Sequence, residues 1–197
     1  MPGAHSKREI EIKLRLSGAA EGRRLLRKAG FTVIRRRLFE SNIVFDAEDA
    51  RFRKRGVLLR LRQSGRDTTL TYKGPSAPSR YKSRHEVEVP VPDSKRLRQI
   101  LEFLGYKPVF RYQKYRSEHR QGPGGGLVTV DETPIGTFLE LEGPPRWIDR
   151  TARSLGFSEL DYITDSYEKL YMDFRRQTAK APCHMVFGGT HLAVGDC

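Results

Sequence analysis

Three passages of this chain set two glutamates two residues apart: Glu9-x-Glu11, Glu86-x-Glu88 and Glu140-x-Glu142. Cations are spaced the same way in Arg60-x-Arg62 and Lys114-x-Arg116, with Lys73 and Arg84 in similar surroundings. In extended chain, residues i and i+2 share a face, so each pair points in one direction. Paired carboxylates offer hard oxygen ligands suited to Mg²⁺ or Mn²⁺, and paired Arg and Lys side chains grip phosphate oxygens. One such strand, taken alone, reads equally well as a half-buried strand with its charges in water. Recurrence changes that reading. Six or more strands carry Glu, Lys or Arg on one face and apolar residues on the other, as with Ile10, Ile12, Leu14 and Leu16 opposite Glu9, Glu11 and Lys13.

If the apolar faces met as a sandwich, the charged faces would be solvated and the sign of each charge would be arbitrary. Matched pairs instead suit a closed sheet whose long polar side chains line a wet lumen, with helices over the outside. Unpaired charges there would be costly. A ligand bringing both metal cations and a polyanion would neutralise both sets, and clustered carboxylates without metal would repel one another.

The elements that position these residues follow from period and punctuation. Residues 8–16 alternate as a strand, and Ser17 to Ala29 reads as a helix capped by Ser17 and stopped by Gly30. Residues 31–46 return as extended chain, 47–56 form a solvated basic connector, and Val57–Arg62 turns at Ser64-Gly65-Arg66-Asp67 into Thr68–Lys73. Gly74 to Lys82, rich in Pro and Ser, reads as a flexible loop. His85–Val89 is a strand, Asp93 or Ser94 caps a helix to Leu104, and Val109–Arg120 is again extended. Gly122–Gly126 is a turn, and without a following Lys-Ser/Thr it is no phosphate-cradling loop. Leu127–Asp131 pairs onward to Phe138–Glu142, and a helix of roughly 146–155 follows. Three passages thus share one plan: a Glu-x-Glu strand, a helix, and a Gly-aromatic stop at Gly30-Phe31, Gly105-Tyr106 and Gly156-Phe157.

The formal charge of +13 is concentrated early: residues 1–80 hold 20 Lys and Arg against 8 Asp and Glu, and residues 81–197 hold 17 against 16. Such a surplus attracts polyanions, whether nucleic acid or a small dense triphosphate. No apolar run is long enough to cross a bilayer, so no membrane partner is expected. The first residues lack the apolar core of a leader, which makes the cytoplasm the default location. Cys183 and Cys197 lie too late to staple the main body. With His184 and His191 they match no familiar zinc spacing.

In these residues the chain resembles the CYTH superfamily, the triphosphate tunnel metalloenzymes. Glu9-x-Glu11-x-Lys13 is similar to that family's N-terminal signature. Arg60-x-Arg62, Lys73, Arg84-x-Glu86-x-Glu88, Lys114-x-Arg116, Asp131 and Glu140-x-Glu142 fall in its order, and the resemblance extends to Ser166-Tyr167. It implies an α+β fold, an eight-stranded antiparallel β-barrel tunnel with helices packed outside, over residues 1–175, followed by a flexible or loosely docked tail, 176–197. It further implies that Glu9, Glu11, Glu140 and Glu142 hold Mg²⁺ or Mn²⁺. Lys13, Arg60, Arg62, Lys73, Arg84, Lys114 and Arg116 would bind the triphosphate. Of these Lys13, Arg62 and Lys114 are the catalytic candidates, while Glu86, Glu88 and Asp131 would orient a metal or nucleophile, or serve as partners of neighbouring arginines.

The run Asp131–Gly143 is most similar to the class IV adenylyl cyclase branch, which implies conversion of ATP to cyclic AMP and pyrophosphate. The alternative is an inorganic, thiamine or nucleoside triphosphatase. The expected partner is therefore a nucleoside or inorganic triphosphate, with a homodimer left open. A non-catalytic polyphosphate or RNA binder is disfavoured: the carboxylate pairs would repel nucleic acid, and no aromatic platform accompanies the basic residues.

Overall fold

The computed structural model describes residues 7–77, 79–122, 124–178 and 181–188. Eight strands form the body: β1 (Lys7–Leu16), β2 (Thr32–Ala47), β3 (Leu58–Ser64), β4 (Asp67–Lys73), β5 (Lys82–Pro90), β6 (Tyr106–Arg120), β7 (Leu127–Thr133) and β8 (Gly136–Glu142). They close into a barrel in the order β1-β5-β4-β3-β2-β6-β7-β8, with every neighbouring pair antiparallel. This is the α+β barrel expected from the sequence.

Alternation then assigns the faces. The outer residues Ile12, Leu14, Val128, Val130, Leu139 and Leu141 are buried beneath α1 (Ala19–Lys28) and α4 (Pro145–Ser154), where they meet Leu26, Trp147, Ile148 and Ala152. Leu61 and Phe45, with Leu59 and Leu70 beside them, are covered by Leu97 and Leu101 of α3 (Ser94–Phe103). Each of these helices follows one of the Glu-x-Glu strands and stops at a glycine with positive φ: Gly30 at 78°, Gly105 at 84° and Gly156 at 92°. Only glycine adopts that left-handed turn without strain, and the aromatic residue after it starts the return to the sheet.

Two local readings shift. Gly18, not Ser17, is the N-cap of α1; the Ser17 hydroxyl and amide instead donate to Glu21 at 2.7 and 2.8 Å, because Glu21 lies one turn on. The connector after β2 contains a short helix, α2 (Arg51–Lys54), whose free amides at Phe52 and Arg53 donate to Asp46 at 2.9 and 3.0 Å.

A fifth helix, α5 (Tyr167–Gln177), had no counterpart in the sequence reading. Ser166 caps it, accepting from the Lys169 amide at 3.2 Å. Tyr167 and Tyr171 pack with Val44, Phe110, Tyr112 and Phe138, which point inward from β2, β6 and β8, and with Met185. One end of the barrel is therefore filled by apolar side chains. The chain on either side of α5 is stitched to strand edges: Ile163 exchanges backbone bonds with Lys13 at 2.8 and 2.9 Å, and Met185 bonds to Arg111 and Gln113 at 3.0 and 2.8 Å. Of the segment expected as a flexible or loosely docked tail, residues 176 and 177 complete α5, and Met185 is fully buried. His191 and Cys197 lie outside the described residues. No helix is long and apolar enough to cross a membrane among the described residues.

Candidate active site: a charge-balanced lumen

The inner faces of the strands enclose a cavity of about 460 Å³. Eight cationic and eight anionic side chains line it. Glu9, Glu11, Lys13, Arg60, Arg62, Lys73, Arg84, Glu86, Glu88, Lys114, Arg116, Glu140 and Glu142, all singled out from the sequence, are among them. Strand register brings them together: Lys13 lies opposite Glu140, Glu11 opposite Glu142, Glu9 opposite Arg84, and Lys73 opposite Glu86.

The carboxylates on the β1 side are already partnered. Both Glu9 oxygens accept from Lys73 Nζ at 2.6 Å, and the same ammonium meets Glu86 at 3.0 Å. Lys13 Nζ lies 3.3 Å from both Glu11 and Glu140, and Lys82 Nζ is 3.6 Å from Glu11. Burial would raise the carboxyl pKa values of Glu9, Glu11 and Glu140. At Glu11 the Lys13 and Lys82 ammoniums outweigh burial and hold it below the ordinary range. At Glu140 Arg116 and Lys13 do the same more strongly. At Glu9 burial, reinforced by Glu11, prevails over Lys73 and the carboxyl is pushed up.

The opposite wall is organised by arginine. Arg60 donates to the Tyr112 hydroxyl at 3.0 Å and to Thr71 at 3.2 Å, while Arg62 donates to Glu88 at 3.2 Å. Thr71 also donates to Glu88 at 2.7 Å. The Arg84 side chain has no hydrogen bond or ion pair among the described residues, and its buried Nε lacks a partner, as does Arg60 Nε.

Asp131 stands apart. Read from the sequence as orienting a metal or nucleophile or as an arginine's partner, it does not line the cavity and lies against Arg116. Wholly buried, it accepts from Lys114 at 2.8 Å, Arg116 Nε at 2.7 Å and the Tyr167 hydroxyl at 2.8 Å. Both of its oxygens are thus engaged by the protein's own donors, Oδ2 by Lys114, Arg116 and Tyr167 and Oδ1 by Arg116 Nε. Arg116 also bonds Glu140, so its guanidinium is fixed from two sides.

Several residues of the site escaped the sequence reading. Lys82, placed there in a flexible loop, begins β5 and lines the cavity. Burial, with the Lys13 ammonium next, pushes it down to about 7. Continuing the alternation of Arg84, Glu86 and Glu88 one step back would have found it. Its segment is anchored from outside the barrel by Asp149 of α4, which accepts from the Tyr81 and Tyr162 hydroxyls at 2.8 and 3.1 Å and from Arg80 at 3.1 Å.

Glu40 was also missed. It is buried, with Lys114 Nζ 3.7 Å away. Burial would raise its pKa, but Lys114, Arg116, Arg62 and Arg60 together bring it down to about 2 from 4.5. A depressed carboxyl stabilises the fold above its unfolded pKa, and that contribution is lost as pH falls from about 4.5 through about 2. Replacing Glu40 by Gln should therefore cost on the order of 3 kcal/mol near neutrality, with the difference from wild type closing towards pH 2. Urea titrations of both proteins across that range would check it.

Comparisons with known proteins agree with this geometry. The CYTH domain family model matches residues 7–167. A Methanocaldococcus jannaschii protein named "Putative adenylate cyclase" is 34% identical over 134 residues, covering 68% of this chain and 75% of that protein. A solved structure of a "putative adenylate cyclase" from Vibrio parahaemolyticus shares the fold with a TM-score of 0.74 at 20% identity, covering 85% of this chain and 99% of that one. A Hippeastrum adenylyl cyclase homologue, HpAC1, whose structure is described as revealing a dominant triphosphatase activity, has a TM-score of 0.59 at 20% identity, covering 89% of this chain and 98% of that one. By barrel, family model and relative alike, the chain belongs to the CYTH domain family of enzymes.

Proposed function

We propose that the protein is a metal-dependent enzyme acting on a triphosphate, in the class IV adenylyl cyclase-like manner: ATP to cyclic AMP and pyrophosphate. The observation that carries this reading is the lumen itself, where Arg60, Arg62, Arg84 and Lys114 converge with the carboxylates of β1 and β8 on one cavity. Arg60 and Arg62 lie two residues apart on one strand, about 7 Å by strand rise, a spacing suited to neighbouring phosphoryl groups.

The family implies a divalent cation, and the donor chemistry of this chain fits one. Glu9, Glu11, Glu140 and Glu142 line the cavity from the adjoining strands β1 and β8 and offer only hard oxygen donors. Among the described residues no three such groups are gathered into a ready cage; the carboxylates of Glu9, Glu11 and Glu140 are held by Lys73, Lys13, Lys82 and Arg116. When bound, Mg²⁺ or Mn²⁺ supplies Lewis-acid neutralisation of charge on phosphoryl oxygens. The chain's own residues then orient the substrate. Arg60, Arg62 and Arg84 grip phosphoryl oxygens, and Lys13 and Lys114 stand where charge on a leaving group is stabilised.

A second reading is hydrolysis, with water rather than a ribose hydroxyl aimed at phosphorus. One observation favours it. The aromatic side chains lining the cavity are Tyr112 and Tyr167. Their hydroxyls serve Arg60 and Asp131, and their rings pack with Val44, Phe110, Phe138 and Met185, so among the described residues neither is set aside as a platform for adenine.

Incubation with Mg²⁺ or Mn²⁺ and ATP, thiamine triphosphate or tripolyphosphate, with products resolved by chromatography, tests both readings. Metal-dependent cyclic AMP with pyrophosphate is the expected result; diphosphate with phosphate selects the second. If no triphosphate is turned over, and calorimetry shows RNA bound with tripolyphosphate unable to compete, the tunnel-enzyme reading is wrong.

A further inference from the structure

The lumen holds equal numbers of cations and anions, and the two sets are not used alike. Arg84 and the Nε of Arg60 stand without partners, ready for an anion. Arg116 is locked by Asp131 and Glu140. Lys73 and Lys13 do something else: they occupy the carboxylates that a divalent cation would need, Lys73 at 2.6 Å from Glu9 and Lys13 at 3.3 Å from Glu11 and Glu140. An ammonium on a flexible four-carbon stem is a point charge that can change partners, unlike a guanidinium held by a two-point fork.

Resting on the triphosphate reading, we propose that Lys73 and Lys13 are exchangeable internal counter-ions. They hold the carboxylates in place of metal, and transfer to phosphoryl oxygens when a divalent cation takes the carboxylates, so that metal and triphosphate bind with strong mutual coupling. Charge balance requires this direction. A divalent cation entering alone must displace an ammonium into a buried lumen with no anion to receive it. A triphosphate entering alone finds Arg84 open but Lys73 and Lys13 already committed to glutamates. Each ligand supplies what the other displaces, and the coupling is reciprocal. The exchange leaves every covalent bond intact and needs no further reactant.

The test is Mn²⁺ binding to the whole protein, followed by electron paramagnetic resonance and calorimetry without turnover. Wild type should bind free Mn²⁺ weakly and, after correction for the solution complex, about tenfold or more tightly with tripolyphosphate present. Lys73→Met should raise affinity for Mn²⁺ alone by about tenfold and erase most of that coupling. Arg84→Met removes the same charge from the same cavity, but from a side chain holding no carboxylate, and should leave affinity for Mn²⁺ alone within about threefold of wild type.

Should Lys73→Met fold poorly, Mn²⁺ should raise its melting temperature more than that of wild type, and Lys13→Met gives a second variant on the same carboxylates. Equal effects of Lys73→Met and Arg84→Met would reduce the result to general electrostatics and overturn the exchange, leaving the triphosphate reading intact. Tight Mn²⁺ binding to wild type without tripolyphosphate would also overturn it. Failure of wild type to bind tripolyphosphate under any metal condition would overturn both.

Discussion

Replacing Glu9 and Glu11 together by Gln is expected to reduce metal-dependent turnover of triphosphates to background, because two anionic oxygen donors are lost from β1 while size is kept. From sequence, the same change should relieve repulsion between clustered carboxylates and leave the fold intact or firmer. The structure reverses that expectation. Glu9 and Glu11 are the counter-ions of Lys73, Lys13 and Lys82, all buried. Neutralising them leaves Lys73 with Glu86 alone and Lys13 with Glu140 alone, and takes from Lys82 its one carboxylate partner among the described residues. Loss of one side of a buried pair costs about 3–5 kcal/mol, and Gln, still able to accept a hydrogen bond, should place the variant near the low end. Urea denaturation alongside the turnover assay separates the two effects: a variant as stable as wild type would show that the lysines find other partners, and full activity would show that the pair is structural.

The second large effect divides two arginines that look equivalent in sequence. Arg84→Ala should weaken tripolyphosphate binding by about 2–5 kcal/mol with little change in stability, since no residue described here depends on it. Arg116→Ala should do the reverse. Asp131, wholly buried, would lose a two-point partner and Glu140 would lose its guanidinium, so stability should fall by about 3–5 kcal/mol. Calorimetry with tripolyphosphate and thermal melts of both variants decide the matter. A shared loss of binding with no difference in melting temperature would mean that both arginines serve the ligand alike.

Period-2 alternation with matched charge made the inner faces legible, because once a sheet closes, the side of each strand follows from residue parity alone. Glu9, Arg60, Lys114 and Glu140 needed no other information. Residues whose placement depends on long-range pairing were harder to see. Lys82 follows a Pro- and Ser-rich stretch, and only its pairing with Glu11 across β1 extends β5 far enough to include it. Glu40 was obscured by the arginines before it, since β2 runs unbroken through Arg35–Arg37 with register shifts along β6. Helix α5 mixes Tyr, Met and Leu with charges at a spacing that predicts little by itself; its apolar side is explained only by the inward residues of β2, β6 and β8 that it covers. Asp131 was visible as a residue, but whether it faces ligand or protein depends on Tyr167, from a different part of the chain.

The stitching of β1 and of the segments flanking α5 into the barrel has a kinetic consequence. Residues 12–16 of β1 find their strand partner only in β8, and Lys13 is further bonded by Ile163. During synthesis β1 therefore emerges before either of its partners, and residues 12–16 stay unpaired until β8, more than a hundred residues on, has followed. Closure entropy for such distant pairings must be met before any of the buried charge pairs can form, which places refolding in the slow range of about milliseconds to seconds for barrels of non-local contact. Until then β1 presents an alternating apolar face beside four cations and two glutamates, and the cationic surplus of that strand opposes its pairing with another copy.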